Sequence, residues 1–268
     1  MKTIFKQIFF IIEGVMLAKV DPIKMVRKSK KMSLDELDLD SIKLEKGDFS
    51  IEDLKDNGNN AKRHNLLKLV LDSSSACQLS DACNAVCGRS CVLEGIKSIN
   101  NNKMYGKVFT ARTNTDDWGT SLLAMDNAEE GDVLFLYCYG EPASVWGELA
   151  STCADEKGIK GTVLWGYARD IDALLYMDYP IFARDILPNA GKALGLGEIE
   201  VTVKLGDNIV KPGDFIFGDE SGVVLVPQEL FEDVIVQTFN ILVKERNIIK
   251  KLKEGMLLSE AIGFKSTL

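Results

Sequence analysis

The sequence predicts an α/β fold with an antiparallel β portion, an N-terminal helical and linker extension, and a long C-terminal helix. Three observations carry this. From Lys107 to Ala183 apolar runs of strand length alternate with helix-periodic segments, the rhythm of strand–helix–strand units. After Gly197 short strands follow one another, separated by Gly, Pro and Asp turns. Beyond Pro227 a helical apolar period persists from Glu229 to Leu257.

Taken in order, Lys2 to Leu17 has an apolar core, Ile8 to Ile12, too short for a signal peptide and closely bracketed by Lys6 and Glu13. It reads as a short amphipathic helix that docks on the body or on a partner. From Lys24 to Arg63 the chain turns charged and polar, and Asp56-Asn57-Gly58-Asn59-Asn60 is a loop signal. Residues 1–63 are therefore expected to be an extension, part helix and part linker, ahead of a domain over 64–268. Leu66, Leu67, Val70 and Leu71 mark one face of a helix, and Ser75 to Val86 a second. Lys107 to Ala111 alternates as a strand, Thr120 to Asn127 suits a helix, and Val133 to Tyr137 is a strand. A helix is expected over Val145 to Lys157, stopped by Gly158. Strand Thr162 to Trp165, a helix running to Met177 and strand Pro180 to Ala183 come next. The later strands are Ile199 to Lys204, Asn208 to Val210, Asp214 to Phe217 and Val223 to Val226.

The chain has 268 residues, 46% hydrophobic and 27% charged, enough to bury a substantial core. Lys and Arg number 32 against 40 Asp and Glu, a net charge of −8. That sign disfavours direct nucleic-acid binding, which draws on an excess of cations. No segment approaches the ~20 apolar residues of a membrane span. The single histidine, His64, has no histidine or cysteine at ligand spacing and reads as structural or exposed, so histidine-dependent chemistry is disfavoured. Six cysteines fit a reducing cytoplasm better than a disulfide scaffold. Four of them, Cys77, Cys83, Cys87 and Cys91, are spaced by five, three and three residues, unlike the paired spacing of a zinc ribbon. On a helix the last three would share a stripe, and buried thiols are favoured over a metal or cluster site.

In an α/β layout ligands gather beyond the C-terminal ends of strands. Two loops qualify. One leads into Trp146-Gly147-Glu148-Leu149-Ala150, where a glycine lets the backbone come close and free amides at a helix start can hold an anion. The other presents Gly166-Tyr167-Ala168-Arg169-Asp170. Arg169 can grip a carboxylate through its planar fork, and Asp170 can ligate a hard cation such as Mg²⁺. Equally open is a structural role, with Asp170 capping the helix and Arg169 in a surface pair. Asp132 and Asp219-Glu220 sit where turns join strands and read as structural.

From about Ser74 onward the chain resembles the RraA-like family, which includes metal-dependent 4-hydroxy-4-methyl-2-oxoglutarate aldolases and regulators of ribonuclease E activity. Leu79-Ser80-Asp81-Ala82, Gly131-Asp132-Val133-Leu134, Trp146-Gly147-Glu148-Leu149-Ala150 and Gly158-Ile159-Lys160-Gly161 carry the likeness. So do Ala168-Arg169-Asp170-Ile171-Asp172, Pro180-Ile181-Phe182-Ala183-Arg184, Lys211-Pro212-Gly213-Asp214 and Gly218-Asp219-Glu220-Ser221-Gly222-Val223-Val224, in order. Around Asp116-Asp117-Trp118 it also resembles the archaeal RraA-like domains found fused to hexulose-phosphate synthase.

The resemblance implies a compact, swivelling-domain-like β/β/α sandwich, assembled as a homotrimer or hexamer with sites between subunits. It implies a class II, divalent-metal-dependent lyase that cleaves a short 4-hydroxy-2-oxo acid or decarboxylates oxaloacetate through a pyruvate enolate. Glu148 stands twenty residues before Arg169-Asp170, the family interval, with Glu in place of the commoner Asp. By resemblance Arg169 binds the pyruvyl group, assisted by the Gly147 to Ala150 amides, Leu149 included. Asp170 ligates Mg²⁺ or Mn²⁺, Glu148 holds metal-bound water and moves the proton, and Glu245 is the candidate acidic residue from a neighbouring subunit. Trp165 and Tyr167 depart from the family pattern and imply a narrower pocket. The alternative is a non-catalytic regulatory or scaffolding oligomer of the ribonuclease-regulator type.

Overall fold

The computed structural model describes residues 43–55 and 60–265. The N-terminal helix expected over residues 2–17, most of the charged linker and the tip of the Asp56 to Asn60 loop lie outside the described residues. Among those described, Phe49 and Ile51 are buried, and a 3₁₀ turn at Ile51–Leu54 leads toward α1 (Ala61–Ser73). His64 Nδ1 donates to the Asp53 carbonyl at 2.9 Å, so the lone histidine ties this segment to α1.

After α1 come α2 (Ala76–Cys87), β1 (Lys97–Ser98), β2 (Met104–Asn114), α3 (Gly119–Asn127) and β3 (Asp132–Tyr139). Then follow β4 (Ser144–Trp146), α4 (Glu148–Glu156), β5 (Gly161–Ala168), α5 (Ile171–Leu174) and β6 (Ile181–Ile186). The chain continues through β7 (Glu198–Ile199), β8 (Val203–Leu205), β9 (Asn208–Val210), β10 (Phe215–Asp219) and β11 (Gly222–Val226). It ends with the long α6 (Phe231–Lys253) and the short α7 (Leu258–Ala261).

The main sheet runs in the order β1-β6-β5-β3-β2-β10-β11, with β4 beside β5 and β7 beside β2. Strands β2, β3, β5 and β6 are parallel neighbours, while β10 and β11 add antiparallel pairs. This is the mixed α/β fold expected from the sequence. Leu134 and Leu136 of β3 face the layer formed with Ala124, Met125, Ala154 and Trp146. Val133 and Phe135 face the opposite layer with Val108, Val163, Phe182 and Ile216. A strand covered on both faces needs a continuous apolar run rather than alternation, which explains Val133 to Leu136. On the antiparallel side, Phe215 meets Phe231 of α6 edge-on, with ring centroids 5.0 Å apart. No helix among the described residues is long and apolar enough to cross a membrane.

Several boundaries differ from expectation. The helix expected from Val145 begins only at Glu148, because Val145 and Trp146 are drawn into the sheet as β4, where both are buried. Strand β5 extends through Ala168. The helix expected to reach Met177 stops at Leu174. Beyond it, the Asn100 side-chain amide captures the carbonyls of Leu174, Met177 and Tyr179 and draws the chain out of the helix. The strand expected over Ile199 to Lys204 breaks at Glu200, whose φ is +54°. Helix α6 ends at Lys253, and Gly255, at φ +94°, reverses the chain before α7.

One loop is held by a single carboxylate. Asp117 Oδ1 accepts from the backbone N–H groups of Gly119, Leu194 and Gly195 at 2.8–2.9 Å. Its Oδ2 accepts from the Leu196 N–H and the Thr120 hydroxyl, both at 2.8 Å, and from the Thr113 hydroxyl at 3.3 Å. Burial by itself would raise this carboxyl's pKa, but the Gly195 N–H, the Thr120 hydroxyl and the Leu196 and Leu194 N–H groups outweigh it and hold the pKa well below the usual range. A depressed native pKa makes its stabilisation complete above the unfolded value of ~3.9 and progressively lost as the pH falls toward the native one. Asp117→Asn turns an acceptor into a donor among donors and should cost about 3 kcal/mol or more at pH 7. Denaturant unfolding of both proteins at pH 7 and pH 3 checks this, and the gap between them should narrow at the lower pH.

Candidate functional site

The C-terminal end of β5 delivers Arg169 and Asp170, and the adjacent end of β4 delivers Gly147 and the first turn of α4. The pairing of β4 with β5 at Tyr167 and Ala168 brings the two segments together, and the Arg169 N–H donates to the Trp146 carbonyl at 3.0 Å. The start of α4 is braced from inside. Buried Trp146 donates its indole N–H to Ser151 Oγ at 2.8 Å, and that hydroxyl donates to the Gly147 carbonyl at 2.9 Å.

Asp170 has φ +58° and ψ +42°, the left-handed region, which Asp tolerates better than most residues because its short polar side chain can bond locally. Its backbone carbonyl accepts from the Ala173 and Leu174 N–H groups, so the main chain opens α5 while the carboxylate is turned elsewhere. Asp170 Oδ2 accepts from the Glu148 N–H at 3.1 Å, at the positive end of α4. Arg169 Nε lies 3.6 Å from the same oxygen. The capping and surface-pair reading therefore takes an altered form: Asp170 does not cap its own helix through its side chain, but binds the first amide of another. Gly147 makes this possible. Its backbone is extended, which any residue adopts, but a Cβ there would overlap Asp170 Oδ2 and crowd Arg169 Cγ.

The structure thus brings together Gly147, the Glu148 amide, Arg169 and Asp170. Among the described residues Asp170 Oδ1 has no partner, and the Glu148 carboxylate is exposed. The amides of Leu149 and Ala150, in the first turn of α4, have no intrahelical acceptor. One unpartnered carboxylate oxygen, with a second carboxylate on the residue whose amide Asp170 binds, suits a hard divalent cation such as Mg²⁺, which keeps several waters and takes few protein oxygens. The Leu149 side chain is 83% exposed, and Tyr176, beyond α5, equally so.

The other residues singled out from the sequence lie outside this grouping. Glu245 accepts from Gln78 Nε2 at 2.6 Å, bridging α6 to α2 within one chain. Trp165 does not stand alone over the site: it packs against the layer containing Phe135 and Phe182, and the Arg184 guanidinium lies 4.2 Å from its ring centroid. Asp219 binds the Ala76 and Ser221 N–H groups. Asp132 binds the Glu129 N–H, and burial raises its carboxyl's pKa despite that bond. Both aspartates fasten turns. A cleft of 580 Å³ lined by His64, Lys68, Tyr105 and Lys160, and a smaller one of 260 Å³ beside Cys77 and Val224, both exclude Arg169, Asp170 and Glu148.

The cysteine stripe is also revised. Helix α2 ends at Cys87, because Gly88 turns left-handed at φ +68° and closes it, so Cys91 lies beyond the helix. The reversed chain nevertheless returns Cys91 to the sulfurs of Cys83 and Cys87. Hydrogen bonding from Cys83 lowers the Cys91 pKa to about 6 against the effect of burial, with help from Cys87 and the Arg89 charge. Burial and the Cys91 charge push Cys87 up to about 11.

What sequence reading missed is the room that Gly147 leaves for Asp170 and the backbone twist at Asp170. The glycine just before a helix start was the available signal for the first.

Residues 76–225 match the RraA-like family model, described as Aldolase/RraA. A protein of Methanocaldococcus jannaschii, named only as uncharacterized, is 36% identical over 178 residues, spanning 65% of this chain and 85% of its own length. A Halalkalibacterium halodurans protein named "Putative 4-hydroxy-4-methyl-2-oxoglutarate aldolase" is 32% identical over 154 residues, or 57% of this chain and 73% of its own. Among solved structures, an uncharacterized protein from Pseudomonas syringae pv. tomato superposes with a TM-score of 0.64 at 30% identity, covering 72% of this chain and 96% of that one.

The geometry gives a direct expectation for Gly147→Ala. The new methyl should displace the Asp170 carboxylate from the Glu148 amide while the buried Trp146–Ser151 brace survives. A loss of about 1–3 kcal/mol is expected, read as a shift in the denaturation midpoint, with a local displacement at residues 147–170 visible in a crystal structure of the variant.

Proposed function

The chain belongs to the RraA-like family, and on that premise we propose that it is a divalent-metal-dependent lyase acting on a short 2-oxo acid, cleaving a 4-hydroxy-2-oxo acid or releasing CO₂ from oxaloacetate. The observation that supports this most is the placement of Arg169 and Asp170 at the end of β5, against the amide end of α4.

A substrate of this class presents a carboxylate beside a ketone. Arg169 binds it: the guanidinium has donors to spare beyond its approach to Asp170, and its fork matches a carboxylate in two parallel hydrogen bonds. The Leu149 and Ala150 amides assist, adding fixed dipoles where negative charge collects. Asp170 would hold the metal through Oδ1, with Glu148 as a further oxygen donor through water. When bound, the cation supplies Lewis-acid polarisation of the ketone. As the C3–C4 bond of the substrate breaks, the electron pair moves into the ketone to give the enolate of pyruvate, and Arg169 stabilises the charge gathering on its oxygen. In the aldol cleavage the C4 hydroxyl loses its proton to the Glu148 carboxylate as that bond breaks, leaving an aldehyde or ketone, and the enolate is reprotonated at C3. Oxaloacetate gives the same enolate with CO₂ as the departing group, and no hydroxyl proton has to move.

The arrangement is open on one side, with Leu149 and Tyr176 largely exposed. A homotrimer or hexamer that covers these side chains would exclude water from the site, as apolar surface of this kind commonly serves. Glu245 of a neighbouring subunit is then a candidate to approach the metal, provided it exchanges Gln78 for that role.

Pyruvate release from a series of 4-hydroxy-2-oxo acids and from oxaloacetate, measured with and without Mg²⁺ or Mn²⁺, tests the proposal. Turnover should require the cation. Arg169→Ala should lower kcat/KM by about 10²–10³-fold or more, and Glu148→Gln should reduce aldol cleavage by about 10²-fold or more while sparing oxaloacetate decarboxylation. Asp170→Asn should raise the metal concentration needed for half-maximal rate. A pure, folded oligomer without turnover on any of these substrates favours the non-catalytic regulatory reading instead.

A further inference from the structure

Away from β5, the sulfurs of Cys83, Cys87 and Cys91 lie within 4.8 Å of one another, the one such gathering of three or more potential ligands among the described residues. Cys83 and Cys91 are buried and Cys87 is half-buried, whereas Cys77 and Cys153 are exposed. The backbone sets this convergence. Cys83 and Cys87 stand one turn apart on α2, and the left-handed Gly88 turns the chain so that Cys91 comes back over them. The returning segment is pinned to the sheet, with the Leu225 N–H donating to the Cys91 carbonyl and the Leu93 N–H to the Val223 carbonyl, both at 2.9 Å. Arg89 is anchored by Asn208 Oδ1 at 2.7 Å, and the Asn208 amide in turn holds the Val92 carbonyl at 3.0 Å.

We propose that Cys83, Cys87 and Cys91 form a binding site for a soft, thiolate-seeking d¹⁰ cation, Zn²⁺ above all. Thiolates bind Zn²⁺ at about 2.3 Å, so three of them around one tetrahedral ion stand about 3.8 Å apart. From the separation seen here, the sulfurs need close by only about 1 Å, a matter of side-chain rotation on a backbone already held in place. Three thiolates around a dication leave one net negative charge, which the Arg89 guanidinium offsets. With no His, Asp or Glu in the group, the fourth position belongs to water or a small ligand, and half-buried Cys87 is the side from which the ion enters. Bound there, the ion staples the end of α2 to the β10–β11 hairpin. Binding removes the remaining thiol protons, so its affinity rises with pH.

The test uses the full chain, reduced and stripped of metal with a chelator. Zn²⁺ alone is titrated in competition with a chromophoric chelator, and Co²⁺ substitution reports the ligands. One Zn²⁺ per chain is expected, with sulfur-to-cobalt charge-transfer bands and tetrahedral ligand-field bands. Cys87→Ala should weaken binding by at least about 100-fold, beyond the effect of losing a ligand-orienting partner, and Cys77→Ala and Cys153→Ala should leave it unchanged. Because a cysteine variant can disturb folding, alkylation of the unaltered protein is followed site by site by mass spectrometry. Zn²⁺ should protect Cys87 and leave Cys77 and Cys153 reactive. Sub-stoichiometric or weak Zn²⁺ binding, undiminished affinity in a folded Cys87→Ala protein, a Co²⁺ spectrum without sulfur bands, or unprotected Cys87 would each overturn the proposal.

Discussion

The burial of β3 on both faces governs the rest of the structure. Its side chains serve two apolar layers at once, so a slip of one residue against β5 would exchange the two sets and spoil both. The register of β3 with β5, from Val133 opposite Gly161 to Tyr137 opposite Trp165, is therefore determined by packing. That register decides where β5 ends, and with it where Arg169 and Asp170 emerge. The candidate site follows directly from the C-terminal end of an interior strand, so its position is held by the core.

Within that frame the candidate site depends on small interactions that each need the next. The Trp146–Ser151 hydrogen bond secures the first turn of α4, and the turn presents its leading amide. The amide orients the Asp170 carboxylate, and Gly147 leaves space for it. One carboxylate oxygen is thereby fixed and the other is left without a partner among the described residues. Arg169 beside it offsets the negative charge of Asp170 and keeps further guanidinium donors. The same economy appears in the Asp117 cluster, where one carboxylate gathers six donors from two separate stretches of chain.

Much of this was legible in the sequence. The continuous apolar run of β3 and the Gly and Pro turns after Gly197 carried the fold class, because both reflect burial, which acts on composition directly. Arg169, Asp170 and Gly147 could be grouped from the sequence because both segments lie where strands give way to helices. The failures were tertiary. Val145 and Trp146 favour strands by type, but so short a run reveals no strand by itself, and pairing with the neighbouring β5 draws them out of a helix. The three-residue cysteine spacing suggested one helical stripe, yet Gly88 ends the helix and the cluster forms by chain reversal. The Glu245–Gln78 contact between α6 and α2 was likewise not legible, because a charged residue on an amphipathic helix gives no sign of its partner.

The left-handed backbone at Asp170 limits which changes the protein can accumulate. Asn and Gly occupy that conformation with little penalty, whereas β-branched or bulky residues are strongly disfavoured. The residues that fit there without disturbing the chain are thus the ones that also remove the negative charge. A lineage could exchange Asp170 for Asn and keep its architecture, so the charged and the neutral versions of this corner lie a single codon apart on an unchanged scaffold.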